Sequence, residues 1–216
     1  MATATNGDVR LHYAIDGGGT GDAPTVAFVA DVGFGAWSWG WQHAGLSGPF
    51  ETLVWDLRGT GNSDAPTGPY DVATLAADLE AVLADAAIAD VHLVGTGLGG
   101  MVAIDYAHRF SRTLSLTLLG TAGSGDAVTD RLDDLRASPD ASDATLRTSL
   151  ASAFAADLVD HPDLADDIVA WRRQDDASLA GWDAQAAAMR AFEAPPLYEV
   201  TPPAQVIHGA ADAIVP

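Results

Sequence analysis

The chain has 216 residues, 48% of them hydrophobic, and its 30 acidic residues against ten arginines give a formal charge of -20. Lysine and cysteine are absent, which excludes disulfides, thiolate metal sites and a cysteine nucleophile. So negative a charge argues against nucleic acid or an anionic membrane as a partner, since both would repel it.

The length is that of one sizeable core, and no window approaches the roughly 18 apolar residues of a membrane span. The amino terminus, MATATNGDVR, has neither a basic start nor an apolar run. A cytoplasmic protein is therefore the expectation, with no prediction for its oligomeric state.

The first third of the chain predicts alternating strands and a helix. Residues 9–15 alternate as an edge strand would, whereas 25–30 and 52–55 are apolar runs typical of buried parallel strands. A loop rich in glycine and tryptophan follows the first of these runs. Residues 70–86 form an amphipathic helix with Asp71 as a plausible cap.

The most informative stretch is 90–109, DVHLVGTGLGGMVAIDYAHR. Strand formers run to Val94, four glycines occupy the six positions from Gly95 to Gly100, and a helical pattern resumes at Met101. The spacing predicts a strand that reverses sharply into a helix packed on its own sheet. Two motifs fit this turn.

One motif is the nucleophile elbow G-x-S-x-G, with Gly97 standing where the serine should be. The other is the dinucleotide fingerprint G-x-G-x-x-G, which Gly95, Gly97 and Gly100 satisfy. That fingerprint also needs an acidic residue roughly 20 positions on. The next strand, 114–119, ends in Gly-Thr-Ala instead. The elbow interpretation is better supported.

The rest of the chain changes character and then returns to a strand. Alanine and aspartate dominate 123–198, with helical periods at Leu146, Leu150, Phe154 and Leu158 and again around 168–171. Residues 204–209 then read as a strand before the chain reaches Pro216.

Three segments resemble the α/β-hydrolase family: the elbow, the nonapeptide DLRGTGNSD at 56–64, and HGAADAIVP at 208–216. The acidic, lysine-free composition resembles that of proteins from salt-loving archaea. The resemblance implies a doubly wound, mostly parallel α/β sheet with an inserted helical cap. It divides the chain into a core at 1–122, a cap at 123–198 and a return to the core at 199–216.

The same resemblance assigns roles in the site. Asp212 takes the acid position of a Ser-His-Asp triad, Gly97 is a vacant nucleophile position, and the amides of Leu98 and Gly33 take the oxyanion-hole positions. Asp31 replaces the histidine of the family's His-Gly loop, where its carboxylate would disfavour an oxyanion. The family's catalytic histidine lies further along, so we expect the last part of the fold to be missing from this sequence.

Pocket walls are expected from Asp31, Phe34, Trp37 and Trp171, and no cofactor or metal is expected. The first hypothesis is an altered or inactive homologue that binds a small apolar or ester-like molecule between core and cap. An alternative is an active hydrolase that acts on an ester-like small molecule by a non-serine mechanism, for example through activated water, with its catalytic histidine beyond residue 216. A lesser alternative is nucleotide binding at the glycine turn.

Overall fold

A computed structural model of the protein describes residues 1–18, 23–151, 153–154 and 161–216. Seven strands in these residues form one mixed sheet in the order β1-β2-β4-β3-β5-β6-β7. Their bounds are β1 Ala2–Asn6, β2 Val9–Gly17, β3 Thr25–Val29, β4 Glu51–Trp55, β5 Val91–Thr96, β6 Thr113–Leu119 and β7 Ala204–Ile207.

The sheet from β4 to β7 is parallel, as the apolar runs predict. Every residue of β3 is buried, because helices cover both faces of a parallel sheet. The carboxyl ends of β3, β5 and β6 therefore meet at one edge, and the candidate site lies there.

The prediction that residues 9–15 form an edge strand is wrong. β1 lies outside β2 and pairs with it antiparallel, from Ala2 opposite Tyr13 to Asn6 opposite Val9. A two-residue turn with Gly7 at φ +60° joins the two strands. Glycine in a two-residue loop is a known hairpin signal, and this turn is the local sign of a hairpin that the residues of β1 themselves lack.

The described residues contain six α-helices. They are α1 Gly40–Leu46, α2 Val72–Asp85, α3 Leu98–Arg109, α4 Asp143–Leu150, α5 Pro162–Asp175 and α6 Leu179–Arg190. Asp71 caps α2 as predicted, its side chain accepting from the Thr74 amide. The buried face of α2 carries Leu75, Leu79 and Leu83, at the spacing of an amphipathic helix.

The segment predicted as a cap contains three of these helices. Along the sequence, α4, α5 and α6 follow β6 and precede β7. Leu158 lies outside the described residues, and the division of the chain at 123 and 198 stays a prediction. No helix that the structure describes is both long and apolar enough to cross a bilayer.

Candidate functional site

The turn between β5 and α3 has the geometry of a nucleophile elbow. Gly97 follows β5 directly and precedes α3, with φ 50° and ψ -116°. Its amide donates to Leu119 O at 3.1 Å and its carbonyl accepts from Thr121 Oγ1 at 2.7 Å. A residue other than glycine held at positive φ costs on the order of 1–3 kcal/mol. Gly97 removes that strain while the turn is retained.

The space of the missing side chain is filled by Asp31. A Cβ atom built on Gly97 would lie 2.0 Å from Asp31 Oδ1 and 2.2 Å from both Cγ and Oδ2. Atoms of two side chains cannot approach so closely, so a serine at this position would collide with the carboxylate. The Asp31 carboxylate thus stands where the nucleophile of the family would begin.

The same carboxylate occupies two backbone amides. Asp31 Oδ1 accepts from Leu98 N at 2.8 Å and from Val32 N at 2.7 Å. Two amides that converge on one oxygen form the arrangement that stabilises an oxyanion in acyl transfer. Here the Asp31 carboxylate, which belongs to the chain itself, accepts hydrogen bonds from both amides.

Gly33, predicted to supply an oxyanion amide, donates its N–H to Gln185 Oε1 at 2.7 Å. The second amide on Asp31 Oδ1 is that of Val32. Gln185 is fully buried on α6 and its Nε2 donates to Arg58 O and Thr60 Oγ1. This one side chain therefore ties α6 to the loops after β3 and β4.

Burial governs the charge state of Asp31. Loss of hydration raises the pKa of its carboxyl, the two amide hydrogen bonds oppose that rise, and the nearby negative charge of Asp212 adds to it; the result is a pKa of about 6. At neutral pH the carboxylate is mainly ionised. An anion at the start of α3 would repel a pyrophosphate, which disfavours nucleotide binding at this turn.

Asp212 borders the elbow from the far side. Its Oδ1 accepts from the amides of Ile214 and Val215, each at 2.9 Å. Its Oδ2 would lie 3.2 Å from a Cβ on Gly120, and Gly120 sits between the two residues that hydrogen-bond Gly97. The acid position predicted from the sequence thus lies next to the elbow turn.

No histidine completes a triad in the part of the chain that the structure describes. His208 is the nearest candidate, and its Nε2 lies 3.7 Å from Asp212 Oδ2, which is too long for a hydrogen bond. That Nε2 donates instead to Val215 O at 2.6 Å. His208 therefore braces the loop that carries Asp212.

The predicted aromatic pocket residues pack on one another. The Phe34 and Trp37 rings lie 5.7 Å apart, and Trp37 lies 5.9 Å from Trp171 on α5. Trp37 Nε1 also donates to Asp176 Oδ1 at 2.8 Å. Four cavities among the described residues, of about 260, 280, 560 and 570 Å³, are lined by other residues. The predicted pocket residues Asp31, Phe34, Trp37 and Trp171 line none of these four.

A buried ion pair next to this aromatic group escaped sequence reasoning. Arg172 Nε donates to Asp176 Oδ2 at 2.6 Å, and both side chains are 2% exposed. Arg172 also lies over the Phe34 ring, 5.2 Å from its centroid. Burial raises the pKa of Asp176 to about 6 even though the arginine favours its charged form. The pair joins the end of α5 to the loop after β3.

Metal ligands do not cluster in this part of the molecule. Among residues 1–18, 23–151, 153–154 and 161–216, no group of three or more histidines and carboxylates is arranged to hold a metal ion. The polar groups at the elbow are the Asp31 carboxylate, the amides of Val32 and Leu98, and Asp212.

Known proteins share this chain's sequence and architecture. A putative carbamate hydrolase, RutD, from Azorhizobium caulinodans is 31% identical over 137 residues, 63% of this chain and 50% of that protein. 3-Oxoadipate enol-lactonase 2 from Acinetobacter baylyi is 30% identical over 129 residues, 58% of this chain and 48% of that protein. The chain thus matches about half the length of these relatives.

Similarity to solved structures extends over almost the whole chain. The crystal structure of an enol-lactonase from Burkholderia xenovorans superposes with a TM-score of 0.81 at 28% identity, covering 97% of this chain and 81% of that one. Residues 26–216 match the sequence model of the alpha/beta hydrolase family. The chain belongs to the alpha/beta hydrolase family.

Proposed function

We propose that this protein is a catalytically altered member of the family, which carries out no serine-type hydrolysis and binds a small, largely apolar molecule beside the elbow. The observation that carries the proposal is the Asp31 carboxylate in the space of the nucleophile. Serine-type acyl transfer needs a hydroxyl to attack and free amides to receive the oxyanion. Here the hydroxyl is absent at Gly97 and both amides are in use.

Retention of a binding role is supported by what remains of the site. The relatives are named for small substrates, a carbamate and an enol-lactone. Asp31 lies just after β3, at the edge of the sheet where the elbow lies, and is partly exposed as a residue. The aromatic residues after β3 and on α5 add apolar surface close to this loop.

The test is covalent labelling in molar salt with diisopropyl fluorophosphate, which phosphorylates activated serines, followed by intact-mass measurement. We expect no mass increase for the protein, while an active serine hydrolase treated in the same buffer is fully labelled. Stoichiometric labelling of this protein would refute the proposal, and peptide mapping would then identify the nucleophile.

A second candidate function is hydrolysis of an ester-like molecule by water that Asp31 activates. Asp31 Oδ2 accepts no hydrogen bond from the residues that the structure describes, and the pKa of Asp31 is about 6. Both favour this function, since a general base works best when its pKa lies near the working pH. In that reaction Asp31 would take a proton from water as the oxygen attacks the acyl carbon, and would return that proton to the alcohol oxygen that leaves when the acyl–oxygen bond breaks. Activity would then increase as pH rises through about 6.

Hydrolysis in ¹⁸O-water distinguishes this mechanism from direct attack by the carboxylate. With water activation, ¹⁸O enters the acid product and Asp31 gains none. With attack by Asp31 itself, water that opens the acyl-aspartate at the aspartyl carbonyl places ¹⁸O in the protein, so label in Asp31 identifies direct attack. Turnover that survives Asp31→Asn unchanged would exclude both routes.

A further inference from the structure

In the serine members of the family, the oxyanion amides receive an oxygen from the substrate. In this protein Asp31 Oδ1 takes the amides of Val32 and Leu98 at 2.7 and 2.8 Å. These are short, charge-assisted hydrogen bonds. A ligand carbonyl or carboxylate can reach the amides only if Asp31 leaves them.

The other oxygen of the same carboxylate, Asp31 Oδ2, has no hydrogen-bond donor among the described residues. No cationic side chain in the described part of the chain pairs with Asp31. Asp212 has one oxygen held by two backbone amides and its negative charge acts on Asp31. The elbow therefore presents a ligand with the acceptor oxygens and negative charge of Asp31 and Asp212, whereas the oxyanion hole of a serine hydrolase presents N–H donors.

We infer that the Asp31 side chain occupies the oxyanion hole of its own chain and thereby inverts the ligand preference of the site. The site excludes acyl oxygens and carboxylates. It admits hydrogen-bond donors, above all small primary ammonium compounds. The inference rests on the proposed function, because it specifies the ligand class of that site. The overall charge of -20 supports it, since a negative surface concentrates cations and depletes anions near the protein.

Removal of the occupant should uncover an anion site. Asp31→Ala frees the amides of Val32 and Leu98 and vacates the space above Gly97. Asp31→Asn is the matched control, since its amide oxygen can still accept both N–H groups while the charge is lost. The two variants separate occupation of the amides from negative charge.

The experiment is a titration with benzoate and with benzylamine at constant ionic strength, following the ¹H–¹⁵N signals of Val32 and Leu98. We expect benzylamine, and not benzoate, to shift these signals in the wild type. Asp31→Ala should bind benzoate at least about tenfold more tightly than the wild type does. In the wild type, benzoate must compete with the charge-assisted hydrogen bonds of Asp31 for the same two amides, and that competition lowers its affinity. Asp31→Asn should bind neither compound appreciably.

Three results would overturn the inference. One is saturable benzoate binding by the wild type at the affinity of Asp31→Ala, and another is no benzoate binding by an Asp31→Ala protein with an otherwise unchanged amide spectrum. The third is equal benzylamine affinity in the wild type and Asp31→Asn, which holds even if Asp31→Ala does not fold. Labelling of the wild type by diisopropyl fluorophosphate would instead refute the proposed function, whatever the titrations give.

Discussion

Asp31→Asn should stabilise the protein at neutral pH. Burial raises the pKa of this carboxyl from its ordinary value of 3.8 to about 6, so the folded state binds the proton more tightly than the unfolded state does. Ionisation of Asp31 therefore costs stability as pH rises from about 4 to about 6, and the full cost persists above that range. A difference of roughly two pH units corresponds to about 3 kcal/mol.

The assay is urea unfolding in molar potassium chloride, followed by tryptophan fluorescence between about pH 4 and pH 7. We expect the free energy of unfolding of Asp31→Asn to exceed that of the wild type by up to about 3 kcal/mol at pH 7, with the difference shrinking towards zero near pH 4. Asp176 and other carboxyls titrate in both proteins and cancel in the comparison.

Asp8→Asn is the control for general charge relief, because it removes one negative charge from an exposed turn. Its effect should stay within about 0.5 kcal/mol. A lower stability of Asp31→Asn at pH 7, or a difference that does not change with pH, would refute the reasoning. The two amide hydrogen bonds would then outweigh the loss of hydration.

Four further predictions concern the elbow, the contacts of α5 and α6, and salt. Gly97→Ser should lower the free energy of unfolding by at least about 1–3 kcal/mol, because of backbone strain and the collision with Asp31. Adding Asp31→Ala to the same chain should restore part of this stability. Additive effects of the two substitutions in a double-mutant cycle would contradict the collision between the introduced serine side chain and Asp31. Gln185→Leu leaves the Gly33 amide without its acceptor and should cost about 1–3 kcal/mol in urea unfolding, whereas Gln174→Leu on the exposed surface should cost less than about 0.5. Arg172→Met leaves the Asp176 carboxylate buried without its arginine partner and should lower the free energy of unfolding by about 3–5 kcal/mol at pH 7. This loss of stability should diminish below about pH 6, because Asp176 then takes up a proton. Potassium chloride should raise the melting temperature more than sucrose of equal osmolality does, because salt screens the charge of -20; equal effects would contradict a role for self-repulsion.

Much of the fold could be predicted because the local signals agree with it. The apolar runs of β3 and β4, the capped amphipathic pattern of α2 and the glycine turn at Gly97 each specify one structure by themselves. Strand β1 was missed because its residues, ATATN, are short and weakly patterned. Its position depends on pairing with β2 rather than on its own composition.

The candidate site could be located from the sequence but its internal arrangement could not. The sequence placed Gly97, Asp31 and Asp212 in one site, and it indicated that a carboxylate at 31 would disfavour an oxyanion. It could not indicate that Asp31 turns into the hole, because a side-chain rotamer depends on packing across 67 residues of chain separation. The joint occurrence of glycine at 97 and a short acid at 31 was the available signal.

Gln185 shows the same limit more clearly. It lies in an alanine-rich helix, and the Gly33 amide that it accepts from is 152 residues away along the chain. No local pattern connects the two positions. A polar side chain on the buried face of α6 was the only hint, because buried polar groups require partners.

The most direct test of the central claim is hydrolysis of a panel of short-chain activated esters in molar salt, with Asp212→Asn and Asp31→Asn measured alongside the wild type. If Asp31 has displaced serine-type chemistry, the wild-type rate will equal that of buffer and both variants will match it. Turnover by the wild type that Asp212→Asn abolishes and Asp31→Asn leaves intact would contradict the claim, since the acid position would then serve a nucleophile other than the one that the elbow has lost.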